Sequence, residues 1–487
     1  MSLEEVLEKY EPVIGLEIHA QLLTNSKAYS KEANEFGAVP NTNISPISLG
    51  HPGTLPKFNT KTLNYGIKLG LACNSEITRD MHFDRKNYFY PDLPKGYQIT
   101  QDKTPICTGG YVLIKDADGN EKSIELTRIH MEEDSGKSSH DIDPFDSLID
   151  LNRAGVPLLE IVTEPVFKNG KEAYNYLIEM RKLVRYLEIC DGNMEEGSMR
   201  CDVNVSIMPI GSKEFGQRVE VKNMNSISNV EKAIEHEIVR LAGVLDNGEE
   251  VLQETRNFDA NTGKTIALRK KEDAHDYRYF PEPDLTALHI TQDYINEVKR
   301  NLPALPNDLY KKYVSKLKLS DYDATNLTDS KGIALYFEEL IAHTKNFKAA
   351  ANWMMGSVKS YLNQNALEIE DFPIAPEKLA ELIQLIEEEK INNSVATQKV
   401  FPFLLMNPES NPIEIAESNG WITKTDSSEI ENVIINIFKN NPNEFERFKN
   451  GEKKLTGFFM GQVMREMKGA ADPKTTTRLL NKLANEV

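Results

Sequence analysis

From Val13 to Leu22 the chain reads VIGLEIHAQL, with Ile14, Leu16, Ile18, Ala20 and Leu22 on one parity and Glu17, His19 and Gln21 on the other. A period of two predicts a β-strand with one apolar and one polar face. MRCDVNVSI repeats the pattern, Met199, Cys201, Val203, Val205 and Ile207 alternating with Arg200, Asp202, Asn204 and Ser206. RVEVKNMNS sets Arg218, Glu220 and Lys222 against Val219 and Val221. A strand face that polar either lines a cavity or meets solvent. Twice the period lengthens to that of an amphipathic helix, at Leu177, Met180, Val184 and Leu187 and again at Val230, Ile234, Ile238 and Leu241. Past LPALPNDLYKKY, punctuated by Pro303 and Pro306, the pattern is helical almost to the end, with Pro376 near the first position of one helix and a break at NPESN, residues 407–411. The prediction is an α+β chain: a mainly antiparallel-sheet domain over residues 1–293, an all-helical domain over 294–408 and a small helical tail over 409–487.

Candidate chemistry concentrates between Arg128 and Pro165, where RIHMEEDSGK and DLNRAGVPLLEIVTEP place Glu132, Glu133, Asp134, Glu160 and Glu164 around apolar runs that read as buried strands. Carboxylates held against a core need a cation. His19, on the polar face of its strand, is a natural co-ligand. An oxygen-rich set with one imidazole suits Mg²⁺ better than Zn²⁺. The competing reading is a structural salt-bridge network, and spacing alone leaves both open. Two proline-shaped loops, FDRKNYFYPDLPKGYQ (83–98) and AHDYRYFPEPDL (274–285), gather aromatics beside bases. They suit a ligand with flat rings and phosphates, with Arg85, Lys86, Lys95, Lys222 and Arg278 as candidate anion holders; otherwise the aromatics cap the core. Gly136-Lys137-Ser138 lacks the first glycine of a Walker A motif, and the chain has no GxSxG, HExxH or dinucleotide fingerprint.

Charge changes the picture in one place. The 487 residues carry a net charge of −18, yet from Arg447 to Lys482 nine Lys or Arg face only Glu452, Glu466 and Asp472. Such a window points to nucleic acid in a protein whose overall charge argues against it. Four scattered cysteines without CxxC fit a reducing compartment. The acidic start MSLEEVLEKYEPV has no leader character, no stretch is apolar enough to span a bilayer, and the expected location is the cytoplasm.

VIGLEIHAQL, FDRKNYFYPDLPKGYQITQ, HMEEDSGKS, DLNRAGVPLLEIVTEP, GSMRCDVNVSI, ETRNFDANTGKT, DYRYFPEPDL, GFFMGQVM and KGAADP, in this order from about residue 10 to the C-terminus, resemble the GatB family of aspartyl/glutamyl-tRNA(Asn/Gln) amidotransferase subunits. The resemblance implies a cradle domain, a helical domain and a tRNA-gripping tail. It implies an ATP- and Mg²⁺-dependent phosphorylation of the side-chain carboxylate of mischarged Glu-tRNA(Gln) or Asp-tRNA(Asn), followed by displacement of phosphate by ammonia. It implies an ion held by His19, Glu133 and Glu160 with Glu17 nearby; alternation turns Glu132 and Glu133 to opposite faces, and the family pattern favours Glu133. Glu17, Arg85, Lys86 and Lys222 become the expected catalytic groups, and Tyr88, Tyr90, Arg200, Asp202, Asn204 and Arg278 the nucleotide- or substrate-binding ones. In the tail, Lys453, Lys454, Arg465, Lys468, Lys474 and Arg478 are expected to meet tRNA. Many relatives carry four zinc-binding cysteines where this chain has Ser30, Glu32, Ser45 and Ser48, so no structural zinc is expected. No cysteine sits in a glutaminase setting. The implied ammonia source is an amidase-family glutaminase partner, joined with a small third protein in a heterotrimer. The alternatives are a non-catalytic tRNA-binding scaffold and a stand-alone metal-dependent hydrolase.

Overall fold

The computed structural model describes all residues except 117–118, 141, 271–276, 424–426, 453, 468 and 487. The chain divides into two compact units, Met1–Asn307 and Asp308–Val487.

In the first unit the strands that matter are, in chain order, β1 (Tyr10–Gln21), β2 (Glu76–Ile77), β3 (Asp84–Asn87), β4 (Tyr97–Thr100), β5 (Cys107–Thr108), β6 (Tyr111–Lys115), β7 (Glu121–Glu133), β8 (Pro157–Thr163), β9 (Met199–Pro209), β10 (Val219–Met224), β11 (Glu254–Asp259), β12 (Lys264–Lys270) and β13 (Phe280–Pro281). Ten of them form one sheet in the order β12-β11-β10-β9-β1-β8-β7-β5-β2, with β6 pairing β7. Only the β10–β11 pair is parallel among the described residues. β3 lies between β4 and β13 in a separate three-stranded sheet.

β1 lies in the middle because its apolar parity is long enough to be buried throughout: Ile14, Leu16, Ile18 and Ala20, with Leu22 just past its end, are each at most 1% exposed. The same parity of β9 joins them, as do Ile129 and Met131 of β7 and Leu159 and Ile161 of β8. Three helices supply apolar surface to this core: α1 (Thr60–Ala72), α2 (Gly170–Tyr186) and α3 (Ile227–Asp246). Asn169 caps α2 by accepting from the Glu172 amide, and Ser226 caps α3 through the Asn229 amide. The buried faces are those predicted from spacing, Leu177, Met180 and Val184 on α2 and Val230, Ile234, Ile238 and Leu241 on α3. With the core on one side, the opposite parity of β9, β1, β8 and β7 is free to carry polar groups.

The named elements of the second unit are all helices among the described residues. Pro376 stands at the start of the helix Pro376–Glu387, whose Leu379, Leu382 and Ile383 are buried. Near the end, Ser427–Asn440 packs with α4 (Leu455–Glu466) and α5 (Pro473–Glu486) around Ile430, Ile434, Phe459, Val463 and Leu480. The predicted order, a sheet-rich part followed by helices to the C-terminus, is the observed one.

α1 reaches the sheet closely because two glycines four residues apart share one face. A Cβ on Gly66 would come within 3.3 Å of Ile106, and one on Gly70 within 2.8 Å of Ile77 Cδ1 and closer still to Cys107 Sγ. Gly70→Ala is therefore expected to destabilise the first unit by about 1–3 kcal/mol despite alanine's better helix propensity. Urea unfolding of the two proteins measures this.

Candidate active site

Sheet register, more than sequence proximity, assembles the site. Across β9, β1, β8 and β7, Arg200 lies opposite His19, His19 opposite Glu160, and Glu160 opposite His130. All four belong to the polar face, and Glu132, two residues beyond His130, shares it. His19 Nε2 stands 3.3 Å from Glu160 and 3.8 Å from Glu132. His130 Nε2 lies 3.5 Å from Glu132 and 3.3 Å from Glu160. One donor atom each from His19, Glu132 and Glu160 falls within a 4.8 Å group, the metal-competent cluster found among the described residues. An imidazole nitrogen and two carboxylate oxygens suit a hard divalent ion with open positions, so the donor set fits Mg²⁺.

Glu133 is not in that group. As the next residue on β7 it turns to the opposite face, where it pairs with Lys95 and accepts from the Ile99 amide at 3.0 Å. The expectation from the family pattern thus selects the neighbour of the residue that meets His19. His130 is a site residue that the sequence reading missed, although its position two before Glu132 marks it as a partner on the same face. It is 3% exposed, and its Nδ1 has no protein partner among the described residues.

Charges around the cluster compensate one another. Burial opposes ionisation of Glu160, but His130 and His19 outweigh it and hold this carboxyl well below its ordinary value. Burial likewise opposes the charge of His130, and Glu160 and Glu132 overcome it, raising the imidazole to about 9. Lys86 faces the group from β3; burial works against its charge, and Glu132 and Glu160 hold it above the usual lysine range. Glu17 is raised by burial and by Glu160, Asp202 and Glu220, and accepts from Asn204 Nδ2 at 3.0 Å. Asp202 pairs with Lys222 at 2.5 Å, and Lys222 reaches Glu220 at 3.1 Å. Glu17, Asn204, Asp202, Lys222 and Glu220 therefore form a continuous polar strip beside the cluster, bringing together four predicted residues. Arg200 is committed to Asp134 at 2.9 Å.

An aromatic wall closes the Lys86 side. Tyr88 meets Tyr90 and Tyr277 edge-on with ring centres 6.0 and 6.1 Å apart, and Tyr277 meets Tyr279 at 6.0 Å. Lys86 Nζ lies 4.9 Å from the Tyr277 ring centre. Arg278, between the two tyrosines, is exposed and adopts φ 45°. Arg85 takes no part in the cluster: its guanidinium is bound in a fork by Glu282. Lys454, Arg465, Lys474 and Arg478 of the tail are exposed, whereas Lys453 and Lys468 lie outside the described residues. At the four positions compared with zinc ligands, Ser45 and Ser48 are buried, each hydroxyl accepting the other's amide at 2.9 and 3.2 Å. No helix among the described residues is long and apolar enough to cross a membrane.

Residues 12–296 match the family model of the GatB/GatE catalytic domain, and residues 335–483 match that of the GatB domain. The chain belongs to the GatB family. A relative from Crocosphaera subtropica, named as a subunit of aspartyl/glutamyl-tRNA(Asn/Gln) amidotransferase, is 48% identical over 99% of each chain. Relatives with that same name from Persephonella marina and Clostridium botulinum are 46% and 45% identical over 98% of this chain and 99% and 100% of theirs. The sheet residues of this GatB-family site and its tyrosines all fall within the first matched region.

Beneath the site lies Lys27, fully buried, donating to the Ala154 carbonyl at 2.7 Å. Burial pushes its ammonium down to about 8 against the pull of Glu32, Glu133 and Asp150. Because the folded value is the lower one, the unfolded chain holds more protons between about pH 8 and 10.5. Lys27 is therefore expected to make stability rise with pH across that window. Denaturant titrations should show this increment in the native protein and its loss in Lys27→Met.

Proposed function

We propose that this chain is the amidating component of an aminoacyl-tRNA amidotransferase, converting Glu-tRNA(Gln), Asp-tRNA(Asn) or both into the amide-bearing forms with ATP, Mg²⁺ and ammonia from a glutaminase partner. The observation that carries the reading is the His19–Glu132–Glu160 group facing Lys86, in a chain of the GatB family that matches a relative over 99% of each. When bound at His19, Glu132 and Glu160, Mg²⁺ would supply positive charge to phosphate oxygens. Lys86, held charged by Glu132 and Glu160, adds a second cation suited to the charge that develops in phosphoryl transfer. Tyr88, Tyr90, Tyr277 and Tyr279 offer faces for a base, and the exposed Arg278 a planar fork for a phosphate. His130 orients both carboxylates from below, as outer partners of metal ligands commonly do.

The strip from Glu17 through Asn204 and Asp202 to Lys222 and Glu220 is the proposed route for ammonia from the amidase-family glutaminase, which a small third protein helps to hold in a heterotrimer. Alternating acceptors and donors along it would keep the nucleophile hydrogen-bonded as it moves, and the raised Glu17 can exchange a proton beside it. The tail, residues 409–487, is proposed to bind tRNA through Lys454, Arg465, Lys474 and Arg478, on a surface whose apolar side is consumed by its own core. A protein of this kind works in the cytoplasm.

Glu132→Gln should weaken Mn²⁺ or Mg²⁺ binding by more than the roughly 10–100-fold typical of an outer partner. Glu133→Gln should leave it within that smaller range. Calorimetric titration of the assembled complex distinguishes them, and equal losses would return Glu133 to the ligand set. A triple replacement of Arg465, Lys474 and Arg478 by alanine should reduce the slope of log affinity for tRNA against log salt by about 2 units. Filter binding over a salt series reads it, and an unchanged slope would remove the tail from the tRNA interface.

A further inference from the structure

Arg85 reads as a phosphate holder in the sequence, but in the fold its Nε and Nη2 donors are engaged by carboxylates of the same chain. Nε and Nη2 bind the two oxygens of Glu282 at 2.7 and 2.8 Å, and Nη2 also reaches Asp284 at 3.1 Å. The guanidinium sits 4.2 Å from the Tyr97 ring centre and 5.7 Å from that of Phe280. The Glu282 side chain is completely buried. A bidentate fork to a desolvated carboxylate is a strong and directional tie.

What it ties down is the segment bearing half of the aromatic wall. β13, the strand that this segment contributes to the small sheet, has two residues, with Phe280 opposite Arg85 and Pro281 opposite Asp84. The proline has no amide to give, so the ladder is too short to fix the segment alone. Links between this segment and β3 include the Asn87 amide to Tyr277 O at 3.0 Å, Asn87 Nδ2 to Tyr277 O at 3.2 Å and to Arg278 O at 2.9 Å, and the Glu282 amide to Phe83 O at 2.8 Å. These converge on β3 and the residue before it, the strand that presents Lys86 to Glu132 and Glu160. Successive side chains of a strand point to opposite sides, so Arg85 fastens the wall while its neighbour Lys86 faces the acids.

We infer that Arg85 is a positioning residue: through Glu282 it fixes Tyr277 and Tyr279 against Lys86, and so sets how tightly the site takes a ligand with a flat ring, without touching the transferring phosphoryl group. This rests on the reading of the site as an ATP-using amidation centre. A tie of this kind acts on ligand binding before and during reaction alike, and its loss should appear in KM more than in kcat.

The test uses the assembled amidotransferase with ATP as the varied substrate. Arg85→Lys keeps the charge and loses the fork, and should raise the KM for ATP about tenfold with kcat within about twofold of the native value. Lys86→Met serves as the contrast and should act chiefly on kcat. Hydrogen exchange at the Asn87 and Glu282 amides should accelerate in Arg85→Lys while amides of β1 and β8 stay protected. Pairing Arg85→Glu with Glu282→Arg should restore part of the protection and of the KM that Arg85→Glu alone forfeits. A fall in kcat at unchanged KM in Arg85→Lys would overturn the proposal, as would native exchange at both amides in that variant. The exchange measurement needs no turnover, so it judges the tie even if the native complex fails to amidate, a failure that would count against the proposed function instead.

Discussion

Two carboxylates buried side by side on one face of a sheet are unstable unless something positive stands within a few ångströms. In this molecule Glu132 and Glu160 are 3% and 9% exposed, and the answer comes from several directions at once: His19 from β1, His130 from β7 itself and Lys86 from the adjoining small sheet. Arg200 and Arg153 do the same for Asp134 at the edge of the group. The compensating groups come from separate stretches of chain, so the fold must be complete before the charges balance. The site is thus tied to global folding, and the apolar parity of the same strands supplies the stability that holds it.

The division of the sheet into two faces explains why so much chemistry fits on regular structure. Strands place side chains at fixed intervals, and register across four neighbours turns that into a grid. Loops then add what a grid cannot, namely the tyrosine wall, and the small sheet adds Lys86 beside it. The grid lies within the first unit, and the final helices of the second unit form a core of their own.

How much of this is legible in the sequence depends on the distance between the residues concerned. The alternation in β1 and β9 and the helical spacing in α2 and α3 can be read directly, because burial of one parity or one stripe is a local property. The same alternation puts Glu17 and His19 on one face of β1 and Asp202 and Asn204 on one face of β9, whereas Glu160 is singled out for the expected ion site only by the family resemblance. The choice between Glu132 and Glu133 does not follow from alternation, since it turns on which parity of β7 faces the site, a matter of pairing between separate strands. His130 is hidden for a different reason: a histidine beside acids is one more polar residue until its neighbour across the ladder is known to be Glu160. Arg85 misleads because its partner Glu282 lies 197 residues away. A basic residue in an aromatic loop suggests a ligand, and only the fold reveals that another part of the chain already occupies it.

The loop closed by Ser45 and Ser48 has a consequence of another kind. Reciprocal hydroxyl-to-amide bonds draw that turn together with atoms present in every copy of the chain from the moment it is made. Nothing in such a closure waits on metal supply, and a chelator or a burst of peroxide finds no thiolate there to strip or oxidise. The trade is in strength, because hydrogen bonds of this sort contribute about 1 kcal/mol each where a bound zinc contributes on the order of 10 kcal/mol. This turn is therefore closed by the chain's own hydroxyls and amides, each bond a modest contribution that any opening of the turn would give up.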